Sequence, residues 1–208
     1  MQRFKPILFS TPMVQAILEG RKSMTRRIIK TDAKKIFWNE IVLNGYGGYC
    51  DEHGNPVKSK YSIGDILWVR ETFRVIEQDF GKPRYEYKAT EKINLTDKWK
   101  PSIFMPFDAC RIFLKIKNIR VEELQNISNA DAFNEGIEWK IKFPEEHPDL
   151  KYYRDYMFKD RFATGILFEA KHSFKSLWFK INGRESWEEN PFVWVISFEK
   201  IDKPVNFN

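Results

Sequence analysis

The run from Thr11 to Arg27, TPMVQAILEGRKSMTRR, limits the fold more than any other stretch, because it contains a whole short helix and the turn that must follow it. The Thr11 hydroxyl is placed to cap the helix, and Pro12 fits the first helical position, where no backbone N–H is needed. Val14, Ile17 and Leu18 recur at helical spacing and mark one buried face, and Gly20 can take the left-handed conformation that closes a helix. Arg21, Lys22, Ser23, Met24, Thr25, Arg26 and Arg27 then place four cations and two hydroxyls in one turn and the start of a strand. Cations at that position also complement the helix dipole while staying solvated, so charge alone does not make this turn a site.

The remaining pattern is mostly strands. Pro6 to Phe9 and Arg27 to Lys30 read as short strands, and residues 31–61 as an insertion with a hairpin, rich in Gly, Asn and charge. After the Gly64-Asp65 turn, ILWVRETFRV alternates: Ile66, Trp68, Arg70 and Thr72 share one face, and Leu67, Val69, Glu71 and Phe73 share the other. The polar half, Arg70 to Thr72, fits either the mouth of a barrel or an ordinary charged rim. PRYEYKA reads as an edge strand, and two further strands are expected between Trp99 and Leu124. There Ile103, Met105 and Phe107 form either a pocket wall or plain core.

Ser128 opens a short helix with Asp131 at the capping-box position, and Gly136 stops it. Glu135 is left at the negative end of the helix dipole, a local conflict of the kind that marks functional sites. Residues 139–167 read as an insertion or lid, HSFKSLWFKIN as an amphipathic helix, and Phe192 to Glu199 as a central strand whose first half is apolar on both faces. The expectation is a single domain over residues 1–208 of mixed α/β class, with insertions near 31–61, 76–100 and 139–167.

An aromatic content of 16% argues against disorder, and a formal net charge of +6 favours an anionic partner. With 2 cysteines in unlike surroundings, no disulfide framework is expected, and a reducing cytoplasm fits better. No apolar run is long enough to span a bilayer or to serve as a signal peptide. Cys50 and His53 have a metal-like spacing without the second pair that a structural zinc needs, and no cofactor motif is present. The three histidines supply no readable catalytic triad.

Gly20-x-Lys22-x-x-Thr25-x-Arg27 resembles the G-x-K-x-x-[E/T]-x-R signature of the ASCH family, whose small β-barrel is similar to the RNA-binding PUA domain. The likeness continues at Gly64-Asp65, at Glu135-Gly136 and in the strand after Asn190-Pro191, and looks like the phage and prophage branch. It implies a PUA-like mixed β-barrel with flanking short helices and large loop insertions. Some small members of that family remove the acyl group of N4-acetylcytidine, and their catalytic positions match Lys22, Thr25 and Glu135. The resemblance thus implies a threonine nucleophile, a lysine base and a glutamate acid, with no cofactor. Arg26, Arg27, Trp68, Arg70, Glu71 and Met105 are the expected substrate contacts. The partner would be a modified nucleoside or base. The alternative is a non-catalytic module that binds single-stranded RNA or a modified nucleotide, since the same cationic turn can hold phosphate.

Overall fold

The computed structural model describes residues 3–42, 46–76, 83–91, 98–159, 162–163 and 169–207. Parts of the insertions expected at 31–61, 76–100 and 139–167 therefore lie outside the described residues. The chain is of mixed α+β class and runs β1 (Phe4–Leu8), α1 (Thr11–Leu18), β2 (Met24–Ile28), β3 (Ile36–Val42), β4 (Tyr46–Asp51), β5 (Ile66–Arg70), β6 (Phe73–Ile76) and β7 (Arg84–Tyr87). It continues with β8 (Phe113–Glu123), α2 (Asn129–Asn134), β9 (Trp139–Ile141), β10 (Lys151–Arg154), β11 (Phe162–Ala163), α3 (Ala170–Asn182), α4 (Glu185–Glu188) and β12 (Phe192–Ile201).

Five strands form the central sheet in the order β1-β5-β8-β12-β2. The β1–β5 pair is parallel and the other three pairs are antiparallel. Three small sheets flank it: β3–β4, β6–β7 and β11–β10–β9. Alternation along the strands gives the central sheet two apolar faces. Ile196 and Phe198 of β12 join Leu67, Val69 and Leu114 under α1, whose Val14 and Ile17 are buried there. Val193 and Val195 of β12 instead join Met24, Phe174 and Trp178 under α3. A third cluster, around Ile66, Phe113 and Phe207, closes the end where β5 and β8 meet.

The sheet is open, so the closed barrel expected from the sequence is not formed. β1 and β2 lie at opposite edges with no ladder between them among the described residues. The helix that joins them, α1, packs its buried apolar side chains against the sheet, and one side chain crosses between the two edges: Arg27 Nη2 donates to the Leu8 carbonyl at 2.9 Å.

Other departures concern single elements. The residue in the N-cap position of α1 is Ser10, not Thr11, in extended conformation and without a side-chain cap bond. The run after Gly64 breaks between Arg70 and Phe73 into β5 and β6, because β6 leaves the central sheet to pair with β7. Ser102–Phe104 is a 3-10 turn where a strand was expected, and Phe107–Ala109, at the expected break before the next strand, is a second one. Pro101 and Pro106 precede them, and neither can donate to a ladder. The hairpin in 31–61 does form, as β3–β4. In 139–167, the described residues hold the β9–β10–β11 sheet, and Tyr152, Tyr153 and Tyr156 are buried.

Candidate active site

Two glycine stops create the site. Gly20, at φ +75°, ends α1, and the Lys22 backbone N–H returns to the Ala16 carbonyl at 3.0 Å. Gly136, at φ +85°, ends α2 just after its C-cap residue, Glu135. The two turns meet as an isolated antiparallel bridge between Lys22 and Glu135, and Ser23 N–H donates to the Asn134 carbonyl at 2.9 Å. Contact is so close that a Cβ on Gly136 would lie 2.8 Å from Lys22 Cβ and 3.0 Å from Ala16 Cβ. Glycine is required there by both backbone conformation and space.

The side chains repeat this meeting. Lys22 Nζ donates to Glu135 Oε2 at 2.8 Å and to the Glu135 carbonyl at 3.0 Å. Arg26 Nη1 donates to Glu135 Oε1 at 3.1 Å, so one cation holds each carboxylate oxygen. Nη2 of Arg26 reaches Asp131 Oδ2 at 2.8 Å and Glu122 Oε1 at 2.5 Å, and Arg120 bonds the same two acids. Lys22, Arg26 and Arg120 thus balance Glu122, Asp131 and Glu135 across β2, β8 and α2. Both the Lys22 and Arg26 side chains are sealed from solvent.

Burial is the main cause that lowers the Lys22 pKa below that of an ordinary lysine; Glu135 opposes the shift, while Arg27 and Arg26 add to it. Burial also lowers Arg27, but Arg26 ends above its usual value because Glu135, Glu122 and Asp131 outweigh burial. Phe9 is approached by two of these cations, with Lys22 Nζ 5.7 Å and Arg27 Cζ 5.4 Å from its ring centre.

Thr25 follows on β2, buried and paired in register with Ile196 of β12. Its hydroxyl makes no hydrogen bond among the described residues. It lines a cavity of about 260 Å³ together with Arg26, Arg27 and Glu135, walled by Met13 of α1 and by Leu177 and Trp178 of α3. Lys22 does not line that cavity and reaches it through Glu135. A second cavity of about 330 Å³ shares Met13, Glu135, Leu177 and Ile181 with the first.

The structure therefore brings together Lys22, Thr25, Arg26, Arg27 and Glu135. Trp68, Arg70, Glu71 and Met105 gather elsewhere, and none of them lines either cavity. Arg70 Nε donates to the Met105 carbonyl at 3.1 Å, and a second nitrogen to the Ile103 carbonyl, while its guanidinium stacks on Trp68. Glu71, 1% exposed, is held by Arg111 at 2.8 and 2.9 Å, and Met105 is core. These four residues fasten the 3-10 turns to β5.

Glu122, Arg120 and the α3 wall were not anticipated. One signal was present, since Arg120 and Glu122 lie two residues apart in a strand and so share a face. Asp131 was read as a capping partner. Ser128 does cap α2, accepting from Asp131 N–H at 3.1 Å, but the Asp131 carboxylate turns to the arginines instead. Cys50 is buried while the His53 side chain is 76% exposed, so these two do not converge. Among the described residues, no group of three or more His, Cys, Asp or Glu side chains could hold a metal ion, and no helix is long and apolar enough to cross a membrane.

No protein-family model, no curated protein and no solved structure matches the chain.

Proposed function

We propose that the Thr25 cavity is the active site of an amidohydrolase that removes the acyl group from N4-acylated cytosine bases or nucleosides, in a protein of the ASCH type. One observation carries the reading. A sealed Lys22–Glu135 pair meets a nucleobase-sized cavity lined by Thr25, whose hydroxyl makes no hydrogen bond among the described residues. At about 260 Å³ the cavity falls just below the ~300–1,000 Å³ of drug-sized ligand sites, and its apolar α3 wall suits a small flat ring. The open sheet is then a PUA-like barrel parted at the β1–β2 seam. The two free, buried thiols, Cys50 and Cys110, suit the reducing cytoplasm in which such a protein would work.

In this mechanism Thr25 Oγ1 attacks the acyl carbonyl carbon and its proton passes to the Lys22 amine, whose lowered pKa makes the neutral form accessible. Glu135, bonded to Lys22, relays the proton taken from Thr25 to the departing exocyclic amine. The C–N bond breaks, the acyl group remains on Thr25 as an ester, and water hydrolyses that ester to the free acid. Arg27, beside Thr25, steadies the oxyanion. Because Lys22 stands outside the cavity, its approach to the Thr25 hydroxyl would have to form when substrate binds.

Steady-state hydrolysis of N4-acetylcytidine tests this. Thr25→Ala should lose at least about 100-fold in rate while its thermal denaturation stays near that of the parent. A Thr25→Ala protein that keeps most of its activity would overturn the nucleophile.

A further inference from the structure

A third cavity lies on the other side of Arg27, and no part of the proposed chemistry takes place in it. This cleft, of about 600 Å³, opens between the β1 and β2 edges and the segment Asp51 to Tyr61 that follows the β3–β4 hairpin. Its lining includes Arg27, Lys30, Lys58 and Lys60. Lys30, Lys58 and Lys60 are exposed and form no ion pair among the described residues. The sole carboxylate in the lining, Asp51, is already occupied: Oδ1 accepts from the Asn55 and His53 N–H groups at 2.7 and 2.9 Å, and Oδ2 from Asn55 Nδ2 at 2.9 Å. With four cations against this one carboxylate, the cleft keeps an excess of positive charge over an apolar floor of Ile7, Ile29 and Ile196.

Two aromatic residues complete it. Tyr61 is pinned by its hydroxyl to the Pro6 carbonyl at 3.1 Å and carries Lys60 over its ring at 4.7 Å. Trp194 of β12 is held edge-on to Tyr49 with ring centres 5.6 Å apart. Tyr61 is 5% exposed and belongs to the core, so of these two rings Trp194 is the one partly open to the cleft. Lysines beside such a ring can hold a single strand, with phosphates on the cations and a base on the ring. Arg27 and Ile28 line both this cleft and the Thr25 cavity, so the two spaces share a wall.

We infer that the cleft formed by Arg27, Lys30, Lys58 and Lys60 binds the phosphodiester backbone of single-stranded RNA, leaving one unstacked base to enter the neighbouring Thr25 cavity. This rests on the function proposed above for the base; the strand-binding part stands on the cleft alone. It makes the substrate a nucleotide within a strand. A duplex is disfavoured, because a paired base would first have to be extruded to reach the cavity.

The test uses the full chain and fluorescence anisotropy with an end-labelled single-stranded RNA of about eight nucleotides, titrated with potassium chloride. The variant Lys30→Ala/Lys58→Ala/Lys60→Ala is compared with Lys115→Ala/Lys117→Ala/Lys200→Ala, which removes equal charge from positions outside the cleft. The cleft variant should bind at least about tenfold more weakly at low salt, and its log–log salt slope should be shallower by about 2, near 0.7 for each lost phosphate contact. The second variant should bind like the parent. Equal weakening in both, no binding by the parent, or equal affinity for a duplex of the same length would each overturn the cleft assignment.

Turnover separates this from the catalytic reading. The cleft variant should hydrolyse free N4-acetylcytidine at the parent rate. If RNA binds as expected and no acylated cytidine is hydrolysed by any form, the amidohydrolase falls and the cleft stands. If the nucleoside is hydrolysed and RNA is not bound, the cleft falls and the amidohydrolase stands.

Discussion

At Gly136 two demands fall on one residue, and they can be separated by measurement. Gly20 has a similar positive φ with open space around it, whereas a Cβ on Gly136 would strike Lys22 and Ala16. Gly20→Ala should lose about 1–2 kcal/mol from backbone strain alone. Gly136→Ala should lose about 1–3 kcal/mol more from overpacking, a further fall in Tm of several degrees on thermal denaturation. Equal losses at the two sites would mean that the close approach carries no energy. Glu135 invites a similar comparison. Lys22→Met leaves Glu135 on Arg26, but Glu135→Leu leaves the buried Lys22 with no carboxylate while Arg26 keeps Glu122 and Asp131, so the glutamate substitution should be the more destabilising of the two, its own cost being the ~3–5 kcal/mol typical of a broken buried pair. Tyr87 and Tyr156 add a pH dependence, because burial raises both hydroxyls to about 12 from an ordinary 10. A folded-state pKa raised above the unfolded one stabilises fully below pH 10 and is lost as the pH rises towards 12. Tyrosinate absorbance should show these two residues ionising late, and Tyr156→Phe should remove one late-titrating group.

Among the elements, the boundaries legible in the sequence were those with a chemical stop. The helix after Ser10 ends at Gly20, the one after Ser128 ends at Gly136, and α3 ends at Gly183, all at positive φ. The misread elements had their form decided by partners far away in the chain. Nothing within ILWVRETFRV tells that β6 leaves for β7, nor does IFM next to its prolines announce a turn held by Arg70. Of the candidate site, the Lys22, Thr25 and Glu135 positions were legible through motif and stop, while the Arg120–Asp131–Glu122 share was not, since it needs β8 and α2 placed side by side. The expected pocket role of Arg70 gives way to a latch, which leads to an element-scale prediction. Arg70→Ala should speed amide hydrogen exchange in residues 101–109 and leave the hydrolysis of N4-acetylcytidine unchanged. A matching fall in turnover would show that the two regions are one site.

For the molecule as a whole, the mixed class and the many short strands were visible as alternation, but the openness of the sheet was not, because whether two edges meet is a property of every strand between them. The apolar end opposite the site offers a separation of stability from activity. Phe207 is buried against Phe4, Phe107 and Phe113 at ring distances of 5.2, 3.8 and 4.5 Å. Phe207→Ala should cost about 3–5 kcal/mol, read as a shift in the denaturant midpoint, while turnover per folded molecule stays level. A proportionate loss of turnover would show that the third cluster supports the site directly. The Lys22–Glu135 bridge also has a consequence in time. Its two halves are 113 residues apart in the chain, and β12, to which β2 pairs, comes later still. On the ribosome Lys22 and Arg26 emerge first and must wait in water for their carboxylates, and β2 waits longer for its neighbouring strand. The pocket is therefore among the last features a nascent chain acquires, and a stalled or half-made chain would be inert.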